Sequence, residues 1–154
     1  MNPTMKKLMM SAILLSLPIL GNAQDKTADD YVEYRQGVFN AIGWHFKKMG
    51  PMIQGRIPYD AVEFKRHAEA VAVLSHMPAE GFVKEAKDST LPTRVKPDVW
   101  FQTERFNTYM DDMIKAAAEL AEQAGVEDKD ELRPAYGNVA KQCKACHDRY
   151  RERG

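Results

Sequence analysis

Apolar side chains recur in steps of three and four along four stretches of this 154-residue chain. That spacing places them on one face of an α-helix, and no stretch shows the alternation of a half-buried strand. Because most connections between the stretches are short, the pattern predicts an all-α fold, an antiparallel four-helix bundle. The predicted helices run from about residue 28 to 55, 59 to 76, 97 to 124 and 130 to 151.

Glycine and proline residues punctuate this pattern. The pair Gly50-Pro51 should kink or nearly end the first helix, because proline removes a helical hydrogen bond. Residues 79–96 read as a long loop, which usually covers something or crosses the end of a bundle. Pro97 is well placed at the first position of the third helix. Pro134 must lie in the first turn of the fourth helix or kink it. The sequence therefore places the start of this helix only to within several residues.

The N-terminal stretch has the form of a secretory signal peptide. Lys6 and Lys7 precede an apolar run at residues 8–17, and small residues follow up to Ala23. The alternative is a membrane anchor, but the run is shorter than the roughly 20 apolar residues that span a bilayer. We therefore predict that residues 1–23 are removed on export to the periplasm, leaving residues 24–154 as one domain.

The charge balance excludes some classes of partner. The whole chain carries 22 basic and 22 acidic residues. Loss of the predicted signal peptide removes two lysines and no acid, so the mature net charge is −2. A nucleic-acid-binding surface would be strongly basic, and this chain is not. No second long apolar run follows, so we expect no membrane association after cleavage.

The only two cysteines lie in the pentapeptide Cys143-Lys144-Ala145-Cys146-His147, near the C-terminal end. This is the attachment signature for c-type haem. On a helix, residues three apart project from nearly one face, so both thiols can reach the vinyl groups on one porphyrin edge. The histidine that follows can supply iron with a nitrogen ligand. The motif predicts one covalent haem c, bound by Cys143 and Cys146, with His147 as the metal ligand.

Other interpretations of this motif are weaker. A disulfide between the two cysteines would close too tight a loop to stabilise a domain of this size. A zinc site needs about four protein ligands, and the pentapeptide supplies three. A thioredoxin-like pair requires a βαβ context, which this chain lacks. A helical bundle without haem is the remaining alternative.

The sixth iron position decides the function. A methionine there gives a closed, low-spin electron carrier, whereas an apolar residue leaves the position open. Histidine and methionine at helical spacing more often fill a core or lie on a surface than ligate a metal. The side chains that remain open as sixth ligands are His45, His67, His76, Met49, Met52, Met77, Met110 and Met113.

Several further segments complete a family pattern. They are Tyr34-Arg35-Gln36, Gly43-Trp44-His45-Phe46, Gly55-Arg56-Ile57-Pro58-Tyr59-Asp60, Pro97-Asp98-Val99-Trp100 and Cys143-Lys144-Ala145-Cys146-His147-Asp148 with Tyr150-Arg151. Over essentially all of residues 28–154 the chain resembles the cytochromes c′, the high-spin class II c-type cytochromes. The resemblance implies a four-helix bundle with haem near the C-terminal helix.

The resemblance also implies roles for four residues. In this family the first helix supplies the residue over the iron, and here that position is Phe39, where low-spin relatives have a ligating methionine. Arg35, with Gln36, would pair with a haem propionate. Arg151 would lie beside the histidine side of the haem, where nitric oxide can displace the histidine. Phe39 could also be ordinary core, and Arg151 an ordinary cation at a helix C-terminus.

These features predict a binding protein and not an enzyme. The open iron site under Phe39 would bind nitric oxide and carbon monoxide, with nitric oxide binding or scavenging as the role. The alternative is a periplasmic electron-transfer cytochrome with a redox partner protein. Members of this family commonly form homodimers through the first two helices, where Ala41, Trp44 and Lys48 would be exposed.

Overall fold

The computed structural model describes residues 26–153, so the predicted signal peptide lies outside the described part of the chain. The described part contains five α-helices: α1 (Ala28–Ile53), α2 (Ala61–Ser75), α3 (Asp98–Phe101), α4 (Thr103–Gln123) and α5 (Lys129–Tyr150). Over the same residues we find no β-strand, only an isolated bridge between Val95 and Arg151. None of these helices combines the length and the apolar character needed to cross a bilayer.

The four long helices form the bundle. Around the bundle α1 packs on α2, α2 on α4, α4 on α5, and α5 closes against α1. The main core lies between all four helices, and its most deeply buried side chains include Met49, Phe64, Leu120 and Leu132. A second cluster around Phe106 lies between α4 and the end of α5. The predicted all-α four-helix bundle is confirmed.

Side chains at the helix ends explain where the helices start. Thr27 and Asp30 form a reciprocal capping box at the start of α1. Asp60 accepts two backbone hydrogen bonds at the start of α2, and Asp128 caps α5 through the amide of Asp130. These caps satisfy amides that have no partner inside the helix, which fixes each boundary within a residue or two of its predicted position.

The structure shows how the first predicted helix ends and where the third is interrupted. Pro51 lies inside α1, which continues only to Ile53, so the proline nearly ends the helix as expected. The predicted third helix is interrupted at Gln102, whose backbone leaves the helical region (φ −128°, ψ 44°). The Gln102 side chain donates to Asp98 at 2.7 Å and accepts from Arg149 of α5 at 2.8 Å. These hydrogen bonds accompany the break at Gln102, and the apolar periodicity of the sequence does not predict them.

The long connection between α2 and α3 is ordered. It contains two short 3₁₀ turns, Pro78–Phe82 and Lys84–Asp88, which lie against α1. Beyond them the chain reaches the end of α5, where the Lys96 amide donates to the Tyr150 carbonyl at 2.9 Å. We call residues 78–93 the strap. The prediction that this connection covers part of the bundle agrees with its position.

A pair of histidines lies between α1 and α2. The Nδ1 atoms of His45 and His67 are 2.9 Å apart, so one ring must donate and the other accept. His67 is buried, and the carboxylate of Glu63 lies 3.8 Å from its Nε2. Burial, the charge of Arg66, and the nearby His45 and Lys48 together lower the pKa of His67, and only Glu63 opposes them.

Candidate cofactor site

A cavity of about 680 Å³ opens between α1, α4 and α5, partly beneath the strap. Its volume lies within the range of about 300–1,000 Å³ that is usual for small-molecule and cofactor pockets. Every site residue that we predicted from the sequence borders it. These residues are Arg35, Gln36, Phe39, Cys143, Cys146, His147 and Arg151.

Two free thiols line the α5 side of the cavity. Cys143 and Cys146 lie one helical turn apart, partly buried, and neither forms a disulfide. Burial raises the pKa of the Cys143 thiol. Burial and the neighbouring Cys143 raise the pKa of Cys146 to about 11. Both side chains are therefore neutral thiols near pH 7, and they offer two sulfur atoms along one wall.

His147 borders the same cavity from the last turn of α5. Desolvation and then the positive charge of Arg94 lower the pKa of His147, which favours the neutral imidazole that can ligate a metal. The zinc alternative has no matching geometry in residues 26–153, where no three or more His, Cys, Asp or Glu side chains could hold a metal ion together. A structural zinc would need about four such ligands.

Arg35 enters the cavity wall from α1 as a buried cation. Only 2 % of the residue is exposed. Its guanidinium donates to the Gly81 carbonyl at 2.7 Å and to the Thr93 hydroxyl at 3.4 Å, and it lies 4.9 Å from the Phe82 ring centroid. Within the described chain no carboxylate forms an ion pair with it. A buried charge is stable only when it is paired, so this guanidinium suits an anionic group of a bound ligand.

Aromatic rings form the α1 and strap side of the cavity. Phe39 is half-buried and packs both on the main core and against the cavity. Its ring centroid lies 6.2 Å from that of Phe82, in an edge-to-face arrangement. Phe82 in turn lies 4.7 Å from Phe106 of α4. The position of Phe39 is therefore compatible with both interpretations, a core residue and a neighbour of the cofactor.

The other predicted contacts lie at the rim. Gln36 is exposed, and its side-chain amide donates to the Pro92 carbonyl of the strap at 3.0 Å. Arg151 is exposed just after α5, and its backbone amide donates to the His147 carbonyl at 3.1 Å. Arg94 also borders the cavity near His147. The rim is thus basic on the side where His147 meets solvent.

The structure narrows the set of possible sixth ligands. His45, His67 and His76 lie away from the cavity, as do Met49, Met52 and Met77. Of the side chains that the sequence left open, only Met110 and Met113 of α4 border it, and both are buried. The question of a hidden ligand is therefore restricted to these two residues.

Sequence reasoning missed several cavity residues. Phe82 lies in the strap, where there is no helical period to place it, and its one signal was being the sole aromatic residue of that loop. Tyr150 lies on the apolar stripe of the fourth helix and in the family motif, but neither pattern indicated a site role for it; it is 3 % exposed in the cavity wall. Its buried hydroxyl finds no hydrogen-bond partner within residues 26–153.

These residues together fit a covalently held haem. The cavity offers two thiols one turn apart on a single helix, an imidazole beside them, aromatic walls and an unpaired buried guanidinium. Porphyrin attachment through thioethers, iron ligation and propionate pairing require this combination of groups.

Comparison with known proteins agrees with this site. The family model described as Cytochrome C' matches residues 30–151. A cytochrome c' from Halomonas halodenitrificans is 36 % identical over 129 residues, covering 80 % of this chain and 96 % of that protein. The solved cytochrome c prime from Shewanella frigidimarina has a TM-score of 0.78 at 34 % identity, covering 83 % of this chain and 98 % of that one. A nitric oxide complex of a mutant cytochrome c prime from Alcaligenes xylosoxidans has a TM-score of 0.76 at 31 % identity, with the same coverage. This chain therefore belongs to the cytochrome c′ family, and its cofactor is covalently bound haem c.

Proposed function

We propose that this protein is a periplasmic haem protein that binds nitric oxide and carbon monoxide at five-coordinate, high-spin iron, with nitric oxide binding or scavenging as its role. Haem c held by a single protein ligand would supply an iron atom able to bind a diatomic gas. The observation that carries the proposal is Phe39, which borders the cavity from α1 and has no lone pair to donate. The nitric oxide complex of the Alcaligenes protein supports the same ligand class.

The cavity residues divide into three roles in this proposal. Cys143 and Cys146 hold the haem through thioether bonds, and His147 is the protein ligand to iron. Arg35 pairs with a propionate, because its buried guanidinium has hydrogen-bond partners but no counter-charge. Gln36 assists at the same edge. Arg151 borders the cavity beside His147 and would flank the histidine side of the haem.

The wall around Phe39 indicates which gases the site favours. Phe39 and Phe82 are hydrocarbon surfaces that offer no hydrogen-bond donor. Dioxygen gains much of its affinity from a donor beside the iron, whereas nitric oxide and carbon monoxide bind without one. We therefore expect weak dioxygen binding and no role in oxygen transport. We propose a binding protein and not an enzyme.

An electron-transfer cytochrome is the second candidate function, and one observation favours it. Met110 and Met113 both lie in the cavity wall, buried at 4 % and 7 % exposure. If either thioether ligated iron, the site would be closed and low-spin, as in electron carriers. A redox partner protein would then be the physiological partner in place of a gas.

Optical spectra of the reduced holoprotein, before and after carbon monoxide, separate the two functions. A broad high-spin band that sharpens and shifts with carbon monoxide supports the open site. Sharp low-spin bands that do not change on addition of carbon monoxide refute the open site and support electron transfer. In the second case Met110→Leu and Met113→Leu identify the ligand, because only the true ligand's loss restores carbon monoxide binding.

Export and assembly are proposed with the function. Cleavage after Ala23 would give a mature N-terminus at Gln24, which mass spectrometry of the periplasmic fraction measures directly.

We also propose a homodimer through α1 and α2. Trp44 is 63 % exposed on α1, with the Lys48 ammonium 4.9 Å from its ring centroid. Sedimentation of the wild type and of Trp44→Glu tests this, since a charge in the interface should leave a monomer.

A further inference from the structure

Phe82 of the strap borders the cavity and contacts side chains of two bundle helices. Its ring contacts Phe39 of α1 at 6.2 Å and Phe106 of α4 at 4.7 Å between centroids. The Arg35 guanidinium covers the ring at 4.9 Å, a cation–π distance. Phe82 therefore joins two bundle helices across the cavity wall, although it belongs to a connecting segment and not to a helix.

Phe82 is positioned by the strap, residues 78–93, which α1 holds by side-chain hydrogen bonds. At the start of α1, the Asp29 carboxylate accepts from the Ser89 hydroxyl at 2.6 Å and from the Thr90 amide and hydroxyl at 2.8 and 3.0 Å. Two turns further along α1, Arg35 donates to Gly81 and Gln36 donates to Pro92. The strap thus has anchors near both of its ends but is not part of the helical hydrogen-bond network.

Three of the hydrogen bonds that hold the strap to α1 are exposed, the two from Thr90 to Asp29 and the one from Gln36 to Pro92. Segments held by exposed hydrogen bonds open locally at lower free energy than packed helices. Asp29 and Phe82 are both half-buried, whereas the bond from Arg35 to Gly81, beside Phe82, is buried. Release of Asp29 would leave that end of the strap held only by Gln36 at Pro92 and Arg35 at Thr93, and it would remove no residue that borders the cavity.

We propose that Phe82 controls the rate at which a gas reaches the iron, and that the Asp29 anchor sets how often the strap lifts Phe82 from the cavity. This inference rests on the proposed gas-binding function and adds a second aromatic residue beside Phe39. Loop motions of this kind gate access on microsecond to millisecond time scales. A gas held inside would also leave more slowly while the strap is closed.

The first test is carbon monoxide association with the reduced holoprotein by flash photolysis. Phe82→Leu keeps an apolar side chain but removes the ring edge, and volume-similar swaps are usually tolerated. We expect the association rate constant to rise about tenfold, equivalent to about 1.4 kcal/mol of barrier. A rate constant within twofold of the wild type refutes control by Phe82.

The second test uses Asp29→Asn, which leaves the cavity lining intact. Asp30→Asn is the matched control, because Asp30 lies at the same helix end and bonds only to Thr27. We expect Asp29→Asn to raise both hydrogen–deuterium exchange of the strap amides and the association rate constant severalfold, with neither changed in Asp30→Asn. Faster exchange without faster association refutes gating by the strap.

The two proposals fail in distinguishable ways. If the wild-type spectrum does not respond to carbon monoxide at all, the gas-binding function is wrong. If carbon monoxide binds, but Phe82→Leu and Asp29→Asn bind it at the wild-type rate, the function stands and the strap proposal is wrong.

Discussion

Substitution of Gly81 by alanine tests how closely the strap lies against α1. A β-carbon added at Gly81 would lie 2.6 Å from the Arg35 Cβ and 2.8 Å from the Tyr31 carbonyl oxygen. Both atoms are fixed by the 26-residue helix α1, so the strap itself must move. Carbon atoms in contact normally lie about 3.5–4.0 Å apart, so Gly81→Ala displaces the strap by on the order of 1 Å.

That displacement has a calculable effect on stability. Overpacking of this kind typically costs about 1–3 kcal/mol. It also strains the buried bond from Arg35 to the Gly81 carbonyl, and hydrogen bonds to charged groups contribute about 1.5–3 kcal/mol. Gly81 is not in the left-handed region, so alanine brings no backbone strain of its own. We expect Gly81→Ala to lower the free energy of unfolding by about 2–3 kcal/mol.

Gly37→Ala, on the α1 side of this contact, is the matched control. Nothing lies within 4 Å of a β-carbon at Gly37, and its position is exposed. Alanine in a helix interior is favoured over glycine by about 0.5–1 kcal/mol, so this variant should be slightly more stable than the wild type. The two Gly→Ala changes should therefore shift stability in opposite directions.

Guanidinium chloride unfolding of the holoprotein, followed by far-ultraviolet circular dichroism, measures both variants. With slopes of about 2–6 kcal/mol per molar for small proteins, the loss in Gly81→Ala should lower the midpoint by about half a molar. Gly37→Ala should raise it slightly. A Gly81→Ala midpoint equal to or above that of the wild type would mean that the strap does not touch α1 at this residue.

Three further substitutions test the cavity and the bundle. Phe39→Met places a thioether on the α1 wall, so we expect low-spin optical bands and loss of carbon monoxide binding; persistent high-spin bands would show that residue 39 does not face the iron. Arg35→Met removes a cation beside the proposed propionate, so a redox titration should give a lower midpoint potential, and an unchanged potential would contradict the pairing. Burial followed by the Arg66 charge lowers the pKa of His67, so the folded protein binds fewer protons there than the unfolded chain. The stabilisation is therefore complete above the ordinary histidine pKa of about 6.5 and is lost as pH falls toward the folded value. Thermal unfolding between pH 8 and 5 should show a weaker pH dependence in His67→Gln but not in the exposed control His76→Gln.

The helices were predictable because their information is local. The apolar steps of three and four along α1, α2, α4 and α5 reflect burial of one face, and caps at the ends set the boundaries. The break at Gln102 was not predictable, because its hydrogen bond to Arg149 joins residues 47 positions apart. Periodicity describes a helix on its own and contains no record of such contacts.

The same division applies to the cavity. Cys143, Cys146 and His147 were predicted from spacing alone, because haem attachment requires such residues within one short segment, and all three border the cavity. Arg35 and Phe39 came from a family resemblance, and their spacing of four residues places them on one face of α1. Each of these signals lies within a short stretch of helix.

The strap shows why the rest of the cavity could not be found in this way. Its bonds to α1 join residues 46 to 61 positions apart, and they involve Asp29, Arg35 and Gln36 on one side only. None of these residues alters the hydrophobic periodicity of its own segment. In the sequence, the loop that carries Phe82 therefore looks like any other connection. The α5 wall therefore depends on a contiguous motif, whereas the part of the wall formed by the strap depends on a few long-range hydrogen bonds. Substitutions in the strap should consequently alter ligand kinetics while haem attachment through α5 is retained.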